Sequence, residues 1–279
     1  MPLAPITIYR SSATLFAQRG EDLFVLPGVN LDTIFAQENA AQFLDSHLNY
    51  GAPTLATTRW LAPIQNQEVW AAGVTYLRSR DARMDESKAS GGDSFYDRVY
   101  DADRPELFFK ATPHRVVGHR AAVRIRADSK WNVPEPELTL AINTRGAIFG
   151  YTIGNDMSSR DIEGENPLYL PQAKVYRGCC ALGPGLVIRE PLPPETKIQI
   201  EIMRAGKVVF SGETALNRMK RTLPELADWL TREDSFPHGC YLLTGTGIVP
   251  PNDFTLAPGD EIRIHIAGLS SLVNSVTTS

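Results

Sequence analysis

Short runs of β-branched and other apolar residues, separated by glycine and proline, dominate the chain from residue 68 onward. Runs of this length and composition are typical of β-strands. The pattern predicts strands over 121–126, 137–142, 147–154, 185–189, 197–204, 207–212, 240–244 and 261–266. Ala205 and Gly206 join two of these runs, which predicts a two-residue hairpin because glycine tolerates positive φ. This part of the chain is therefore predicted to be mostly β.

Helical periodicity is confined to a few segments. Apolar side chains at positions 34, 35, 43 and 44 share one stripe of the segment 32–47, which predicts an amphipathic helix. Thr222 and Glu225 have the spacing of a capping box and stand before a second apolar stripe, so a helix is predicted to begin there. The polar segment 76–88 is predicted to be a mobile helix or a loop.

The first 66 residues differ in their sequence pattern from the rest of the chain. Two strand-like runs, 6–10 and 22–26, precede the helix at 32–47, and a segment rich in proline, glycine and threonine follows at 51–54. We therefore predict a small N-terminal α+β domain over 1–66 and a mostly-β catalytic domain over 67–279. Because the strands do not alternate regularly with helices, a doubly wound parallel sheet is not expected.

Composition narrows the class of protein. The chain has 279 residues, a formal net charge of −4 and three cysteines. Its N-terminus lacks the basic-then-apolar pattern of a secretion signal, and no run reaches the ~20 apolar residues of a membrane span. Its net negative charge disfavours a nucleic-acid partner, and the cysteines form neither a disulfide framework nor a zinc pattern. We expect a cytoplasmic protein that binds neither membrane nor nucleic acid.

Three carboxylates are the strongest candidates for chemistry. Glu135 and Glu137 are two residues apart, so an extended chain points both side chains to one face. Pro136 between them predicts an edge or a rim rather than a fully paired central strand. Asp156 follows the next predicted strand and is expected at a turn into a helix. Together they offer hard oxygen ligands, which favours Mg²⁺, with Mn²⁺ or Ca²⁺ as alternatives. On spacing alone, a solvated strand face remains the competing interpretation.

The motifs around these carboxylates resemble those of the fumarylacetoacetate hydrolase family. The E-x-E of Glu135 and Glu137 is followed at 150–161 by G-Y-T-I-G-N-D-M-S-S-R-D, which is similar to an element of that family. Lys174 with the L-G-P of 182–184 resembles its lysine-containing segment, and further matching runs stand at 244–247, 256–260 and 266–274. The ordered match covers roughly 73–276. It implies a mixed β-sandwich or roll with a magnesium site at Glu135, Glu137 and Asp156.

One departure from the family pattern indicates which branch the chain resembles. Hydrolases of the family carry a histidine and a glutamate that activate water, but Ser79 stands at the position of that histidine and no glutamate follows before Glu86. The same region, with 96–100 and 104–110, resembles the sugar-acid dehydratase branch. That branch converts 2-keto-3-deoxy pentonates, such as 2-keto-3-deoxyarabinonate or -xylonate, into 2,5-dioxopentanoate (α-ketoglutarate semialdehyde). The resemblance therefore implies a lyase of pentose catabolism.

The resemblance and the chemistry together assign a role to each candidate residue. Loss of a C3 proton from a 2-keto acid forms an enolate that the metal stabilises, and loss of the C4 hydroxyl follows. Lys174 is expected to polarise the keto oxygen, and Glu106 is the candidate general acid/base, with a plain salt bridge to Arg104 or Lys110 as its alternative. The expected substrate contacts are Thr246, Ser79 and Arg78.

Two alternative functions stay open. The first keeps the fold and the metal but performs C–C hydrolysis of an acylpyruvate or decarboxylation of an oxaloacetate-like compound. The second is a catalytically silent paralogue that binds sugar acids, although all residues of the metal trio and Lys174 are present. In each case the expected partner is a small-molecule 2-keto acid. By resemblance, the chain is expected to form a homodimer or homotetramer.

Overall fold

A computed structural model describes residues 4–48, 59–87 and 93–278. Two β-sheets dominate this part of the chain. Its strands are β1 (Ile6–Arg10), β2 (Leu15–Arg19), β3 (Asp22–Leu26), β4 (Glu68–Gly73), β5 (Glu106–Ala111), β6 (Val116–Val117), β7 (Ala122–Arg124), β8 (Asn132–Ile142), β9 (Ile148–Ser159), β10 (Cys180–Ile188), β11 (Lys197–Arg204), β12 (Lys207–Ala215), β13 (Cys240–Leu243), β14 (Glu261–Ile266) and β15 (Ser270–Thr277).

The larger sheet has ten strands, in the order β3-β2-β1-β10-β9-β8-β13-β4-β5, with β6 beside β10. The smaller sheet has five, in the order β12-β11-β14-β15-β7. The helices are α1 (Leu31–Phe35), α2 (Ala40–Leu48), α3 (Leu77–Ser87), α4 (Asp93–Asp101), α5 (Arg160–Glu165), α6 (Leu170–Lys174) and α7 (Leu223–Thr231). The prediction of a mostly-β α+β fold is therefore confirmed. Among the described residues, no helix is long and apolar enough to cross a membrane.

The long central strand β8 separates the core from the candidate site. Leu138, Leu140 and Ile142 point to one face, where they join a core that includes the isoleucines of β11 and β14. Alternate residues, including Glu135 and Glu137, point to the opposite face. Burial of these apolar side chains between the two sheets thus fixes the register of β8, and this register places both carboxylates on the opposite face.

Several predicted elements agree closely with the structure. Strands β11 and β14 have the predicted bounds, and the hairpin at Ala205 and Gly206 has positive φ at both residues, 49° and 77°. Helix α7 begins with the predicted capping box, in which Thr222 accepts from the Glu225 amide and the Glu225 side chain accepts from the Thr222 amide. The segment after residue 76 is helical, as α3.

The predicted helix over 32–47 is wrong in one respect, because the structure divides it into α1 and α2. The Asn30 side chain accepts from the Thr33 amide at 2.8 Å and caps α1. The Asn39 side chain accepts from the Gln42 amide at 2.9 Å and starts α2. A second asparagine cap in the middle of the segment therefore competes with helix continuation, and the apolar periodicity did not reveal it.

Strand β8 lies inside the larger sheet between β9 and β13, but its ladder with β13 spans only Thr139 to Ile142. Pro136 precedes that ladder and pairs on the β9 side alone, so the expectation of an edge or a rim, rather than a fully paired central strand, is confirmed at this residue. The missing N–H of Pro136 therefore costs no bond to β13. Asp156 was expected at a turn, but β9 continues through it to Ser159 because β8 and β10 pair with it on both sides.

The N-terminal strands extend the sheet that holds the candidate site. Strand β1 pairs antiparallel with β10, and its Ile6 and Ile8 belong to the same buried cluster as Leu182 and Tyr241. This cluster covers one side of the larger sheet and includes α1 and α2. The division into units 1–66 and 67–279 stays a prediction.

Candidate active site

The three predicted carboxylates meet on adjacent strands. Glu135 stands directly opposite Asp156, and Glu137 stands opposite Gly154. One oxygen from each of the three lies within 4.8 Å of the others. Their exposed fractions are only 4%, 2% and 1%. A solvated strand face is therefore excluded.

Gly154 makes the space that this arrangement needs. A Cβ at position 154 would overlap the side chains of Leu243 and Thr139. Glycine is therefore required opposite Glu137 because side chains pack closely on this face of the sheet, and not because the backbone turns there. A bulkier residue there would displace the side chain of Leu243 on β13 or that of Thr139 on β8.

Lys174 lies at the centre of the carboxylate group. Its side chain is fully buried, and its Nζ donates to Glu135 Oε2 at 2.7 Å, Asp156 Oδ2 at 3.3 Å and Ser158 Oγ at 2.5 Å. The short helix α6 ends at Lys174 and delivers it to the carboxyl end of β9. Lys174 is therefore part of the buried centre.

Two further cations, which the sequence analysis did not assign to the site, complete the charge balance. Arg160 is 2% exposed, and its Nη2 donates to Glu135 Oε1 at 2.6 Å. Lys110 is fully buried and forms an ion pair with Asp156 Oδ1. Three carboxylates thus face three cations. A lysine that closes the apolar run 107–109 on β5 was the available signal for Lys110, and Arg160 stands inside the motif at 150–161.

Glu137 is the carboxylate that these cations stabilise least. Burial, followed by the nearby charges of Asp156 and Glu135, raises the pKa of Glu137 well above its usual range. The Gly245 amide, which donates to Glu137 Oε2 at 2.6 Å, and Lys174 act in the opposite direction. A negatively charged Glu137 is therefore unfavourable at this buried position beside two other carboxylates unless a further cation is bound.

A small recess opens onto the carboxylates. Its lining comprises Ala72, Gly73, Val74, Ser79, Phe108, Glu135, Glu137, Asp156, Lys174, Gly245 and Thr246. Ser79 and Thr246, both predicted as substrate contacts, are among these residues. Ser79 Oγ donates to the Tyr76 carbonyl at 2.8 Å, and Thr246 Oγ1 accepts from the Ile248 amide at 3.1 Å. Both hydroxyls therefore also have a local structural role at the rim.

The two other predicted residues, Glu106 and Arg78, are not among the residues that line the recess. Glu106 begins β5 opposite Gly73, and a Cβ on Gly73 would clash with the Glu106 carboxylate. Its carboxylate thus lies against the recess wall. Arg104 and Lys110, the predicted alternatives for an ion pair, contact the Trp229 ring and Asp156 instead. Arg78 is exposed on α3.

The donor set fits a hard divalent cation. Carboxylate oxygens are the ligands that Mg²⁺, Mn²⁺ and Ca²⁺ prefer, and each oxygen has lone pairs for more than one partner. Burial on one face of two paired strands fixes the three side chains. Burial, together with the charges of Asp156 and Glu135, raises the pKa of Glu137, and a bound cation would offset the cost of its negative charge. Sulfur and imidazole ligands are absent from this described cluster, which disfavours zinc.

Fold and site together define a β-rich protein with a buried three-carboxylate centre for a hard cation. The comparison with known families makes this class specific. The family model for the fumarylacetoacetate (FAA) hydrolase C-terminal region matches residues 69–277. The chain belongs to the fumarylacetoacetate hydrolase family, as the motifs predicted.

Relatives with assigned names are similar over most of the chain. A probable 2-keto-3-deoxyxylonate dehydratase of Haloferax volcanii is 50% identical over 218 residues, which cover 77% of this chain and 74% of the relative. A 2-dehydro-3-deoxy-D-arabinonate dehydratase of Saccharolobus solfataricus is 45% identical over 217 residues, covering 77% and 73%. The resemblance to the dehydratase branch is therefore confirmed.

A solved structure is similar over nearly the whole chain. It is a 2-keto-3-deoxy-D-arabinonate dehydratase complexed with magnesium and 2,5-dioxopentanoate, with a TM-score of 0.83 and 32% sequence identity. The match covers 99% of each chain. The N-terminal strands that precede the family-model match therefore also have counterparts in that neighbour.

Proposed function

We propose that the protein is a Mg²⁺-dependent dehydratase that converts a 2-keto-3-deoxy pentonate, of arabinonate or xylonate type, into 2,5-dioxopentanoate. The observation that carries this proposal is the buried cluster of Glu135, Glu137 and Asp156 with Lys174 between two of them. The names of the relatives at 45–50% identity, and the magnesium and 2,5-dioxopentanoate bound in the similar solved structure, support the substrate class.

Glu135, Glu137 and Asp156 would hold the magnesium ion. When bound there, the ion supplies Lewis acidity to a 2-keto acid and lowers the cost of removing its C3 proton. The protein's own residues restrict where that substrate can lie, because the recess is walled by Phe108, the 72–74 segment and the Gly245–Thr246 turn. The keto acid end is therefore expected beside the carboxylates, with the hydroxyl-bearing carbons toward the rim.

Lys174 and Glu106 are the groups to which we assign proton and charge handling. The Lys174 ammonium stabilises negative charge on the substrate's keto oxygen. Glu106, against the Gly73 wall, exchanges protons with C3 or with the departing C4 hydroxyl. Loss of the C3 proton and the C4 hydroxyl releases one water and leaves a C3–C4 double bond. Transfer of a proton from C5 to C3 then gives a C4–C5 enol, and transfer of the enol hydroxyl proton to C4 leaves the aldehyde. Thr246 and Ser79 would contact substrate from the recess, and Arg78 from the exposed face of α3.

The direct test is conversion of substrate by the purified protein. With Mg²⁺ and racemic 2-keto-3-deoxypentonate, we expect 2,5-dioxopentanoate, identified by NMR, and no product in EDTA. Mg²⁺ added in excess of EDTA should restore turnover. The proposal is contradicted if no product forms while an acylpyruvate releases pyruvate, which would indicate the hydrolase branch. A protein inert toward both compound classes, although it binds Mg²⁺, would indicate a silent paralogue.

Replacing Glu106 with glutamine should separate proton transfer from metal binding. Glu106→Gln keeps the shape of the side chain against Gly73, so we expect the cation affinity to stay unchanged. A positioned acid/base contributes about 10²- to 10⁴-fold, so kcat should fall by that factor. Glu68→Gln, on the neighbouring strand β4, is a matched control because Glu68 is exposed and contacts Trp70. A kcat within about threefold of the control would remove Glu106 from the mechanism.

A homodimer or homotetramer is proposed on the family resemblance alone. Light scattering of the purified protein coupled to size exclusion would give a mass of two or four chains if this holds. A single-chain mass at assay concentration would contradict it.

A further inference from the structure

Lys110 is a buried cation behind the candidate site, and none of the proposed steps uses it. It lies on β5, its side chain is 0% exposed, and it is not among the residues that line the recess. Its Nζ pairs with Asp156 Oδ1 and donates to the Met157 carbonyl at 2.9 Å and to the Lys174 carbonyl at 2.5 Å. An ammonium has three N–H donors, so these three acceptors use all of them.

These contacts join the two functional parts of the site. Asp156 lies between two ammonium groups, with Lys110 at Oδ1 and Lys174 at Oδ2. Lys110 also holds the main-chain carbonyl of Lys174, at the end of the five-residue helix α6. The Lys110 Nζ on β5 therefore contacts both the Asp156 carboxylate and the main chain from which the Lys174 side chain extends.

We infer that Lys110 is a positioning residue that fixes Asp156 and Lys174 relative to each other, so that metal ligand and catalytic ammonium keep one geometry. This inference rests on the proposed function for the role of Lys174, but its metal half does not need the substrate. Because all three protons of Lys110 have protein acceptors and the residue stands outside the recess, it does not act on substrate directly. Outer-sphere partners of this kind orient ligands and support metal affinity.

Position 110 demands both charge and geometry. A neutral residue would leave Asp156 Oδ1 and two buried carbonyls without the Lys110 donor. Arginine would keep the charge, but a planar guanidinium does not place donors on three acceptors around one nitrogen. Lys110→Met removes the charge and the hydrogen bonds together, whereas Lys110→Arg keeps the charge and changes only the geometry of the donors. If the methionine variant does not fold, the arginine variant still tests the geometry.

The test measures metal affinity directly, with Mn²⁺ as the probe and its free-ion EPR signal as the readout. For both variants we expect the Mn²⁺ dissociation constant to rise about tenfold to hundredfold, the range typical of lost outer-sphere partners. With saturating Mg²⁺, kcat should also fall while KM changes little, because Lys174 is misplaced after binding is complete. Circular dichroism and thermal unfolding identify the folded variants for which these values count.

An ion pair between a buried carboxylate and a partly exposed arginine, neither of which lines the recess, supplies the control. Asp260 is 0% exposed and accepts two bonds from Arg204 at 2.8 Å. Arg204→Met removes one cation from beside a buried carboxylate, as Lys110→Met does, so it should lower stability while Mn²⁺ affinity stays at the wild-type value. If the Lys110 variants resemble this control, with unchanged or tighter Mn²⁺ binding, the inference is wrong.

The inference and the proposed function fail in different experiments. Wild-type protein that binds Mn²⁺ but leaves 2-keto-3-deoxypentonate untouched would refute the function, while weaker Mn²⁺ binding in both Lys110 variants would still support positioning of Asp156. Wild-type protein that turns over substrate, together with variants of wild-type affinity and kcat, would refute the role of Lys110 alone.

Discussion

Replacing Glu137 with glutamine is expected to remove divalent-cation binding and to lower kcat/KM by on the order of a thousandfold, since metal catalysis supplies several kcal/mol. Glutamine has the shape of glutamate, and its carbonyl can accept from the Gly245 amide, which Glu137 binds at 2.6 Å. The substitution therefore removes one negative charge of the trio and little else. Isothermal titration with Mg²⁺ and steady-state kinetics give the two quantities.

Glu137→Gln should lower the activity without lowering the stability of the metal-free protein. Burial beside Asp156 and Glu135 raises the pKa of Glu137, which means that its charge opposes folding of the metal-free protein. Metal-free Glu137→Gln should thus unfold at the wild-type temperature or above it. Saturating Mg²⁺ raises the melting temperature of a protein that binds it only in the native state, and this increase should be missing in the variant.

Asp260→Asn is the control for losing a buried carboxylate as such. Asp260 accepts from Arg204 and from the Ala257 amide, and it is not among the recess residues. This variant should lose stability but keep the melting-temperature increase in Mg²⁺. If Glu137→Gln also keeps that increase and binds Mg²⁺ at wild-type affinity, the assignment of Glu137 as a ligand is wrong.

The carboxylate trio was predictable because its signal is local. Residues 135 and 137 share a face by strand periodicity alone, and the motif at 150–161 marks Asp156. What periodicity could not give was the strand pairing that sets Glu135 opposite Asp156, which depends on the register of β8 and β9. The ordered motifs that the chain shares with the family indicated that the three carboxylates form one site.

The compensating cations were harder to predict, because their partners are distant in sequence. Lys110 reaches Asp156 across 46 positions, and nothing near it in the chain indicates a buried ion pair. Arg160 stands inside the motif at 150–161, but its partner Glu135 is 25 positions earlier, on β8, and the motif does not show that the two residues pair. A charged residue next to an apolar run reads as the end of a strand. Only the packed sheet shows that it is a buried counter-charge.

The limits of the fold prediction have a similar origin. The segment 32–47 shows one apolar stripe, yet Asn39 starts a new helix because its side chain competes for a backbone amide. Pro136 correctly indicated an edge at its own position, but it could not show that β13 pairs with the same strand from Thr139 onward. Both features depend on hydrogen bonds that the local sequence pattern does not show.

Replacing Lys174 with methionine is expected to abolish most turnover while leaving the cation in place. The Lys174 ammonium lines the recess and donates to Glu135 and Asp156, so it shares their oxygens with any bound cation. Methionine fills a similar volume and removes the charge. Losing one donor to the developing negative charge costs about 10²- to 10³-fold in kcat.

Cation affinity distinguishes this variant from Glu137→Gln. Without Lys174, Glu135 keeps Arg160 and Asp156 keeps Lys110, so both carboxylates remain oriented. Repulsion between ammonium and metal inside the recess disappears, and the Mn²⁺ dissociation constant should be equal to the wild-type value or lower. Kinetics at saturating Mg²⁺ and Mn²⁺ EPR on the same preparation measure the two effects.

Ser158→Ala is the matched control, because it removes one of the three acceptors of the Lys174 ammonium and leaves the ammonium itself. Its kcat should fall far less than that of Lys174→Met. A Lys174→Met protein that binds Mn²⁺ normally and turns over within about threefold of wild type would show that this ammonium only balances charge. Loss of Mn²⁺ binding together with turnover would instead assign Lys174 to holding the carboxylates. The expected pattern, with binding kept and chemistry lost, occurs only if the charge acts on the substrate.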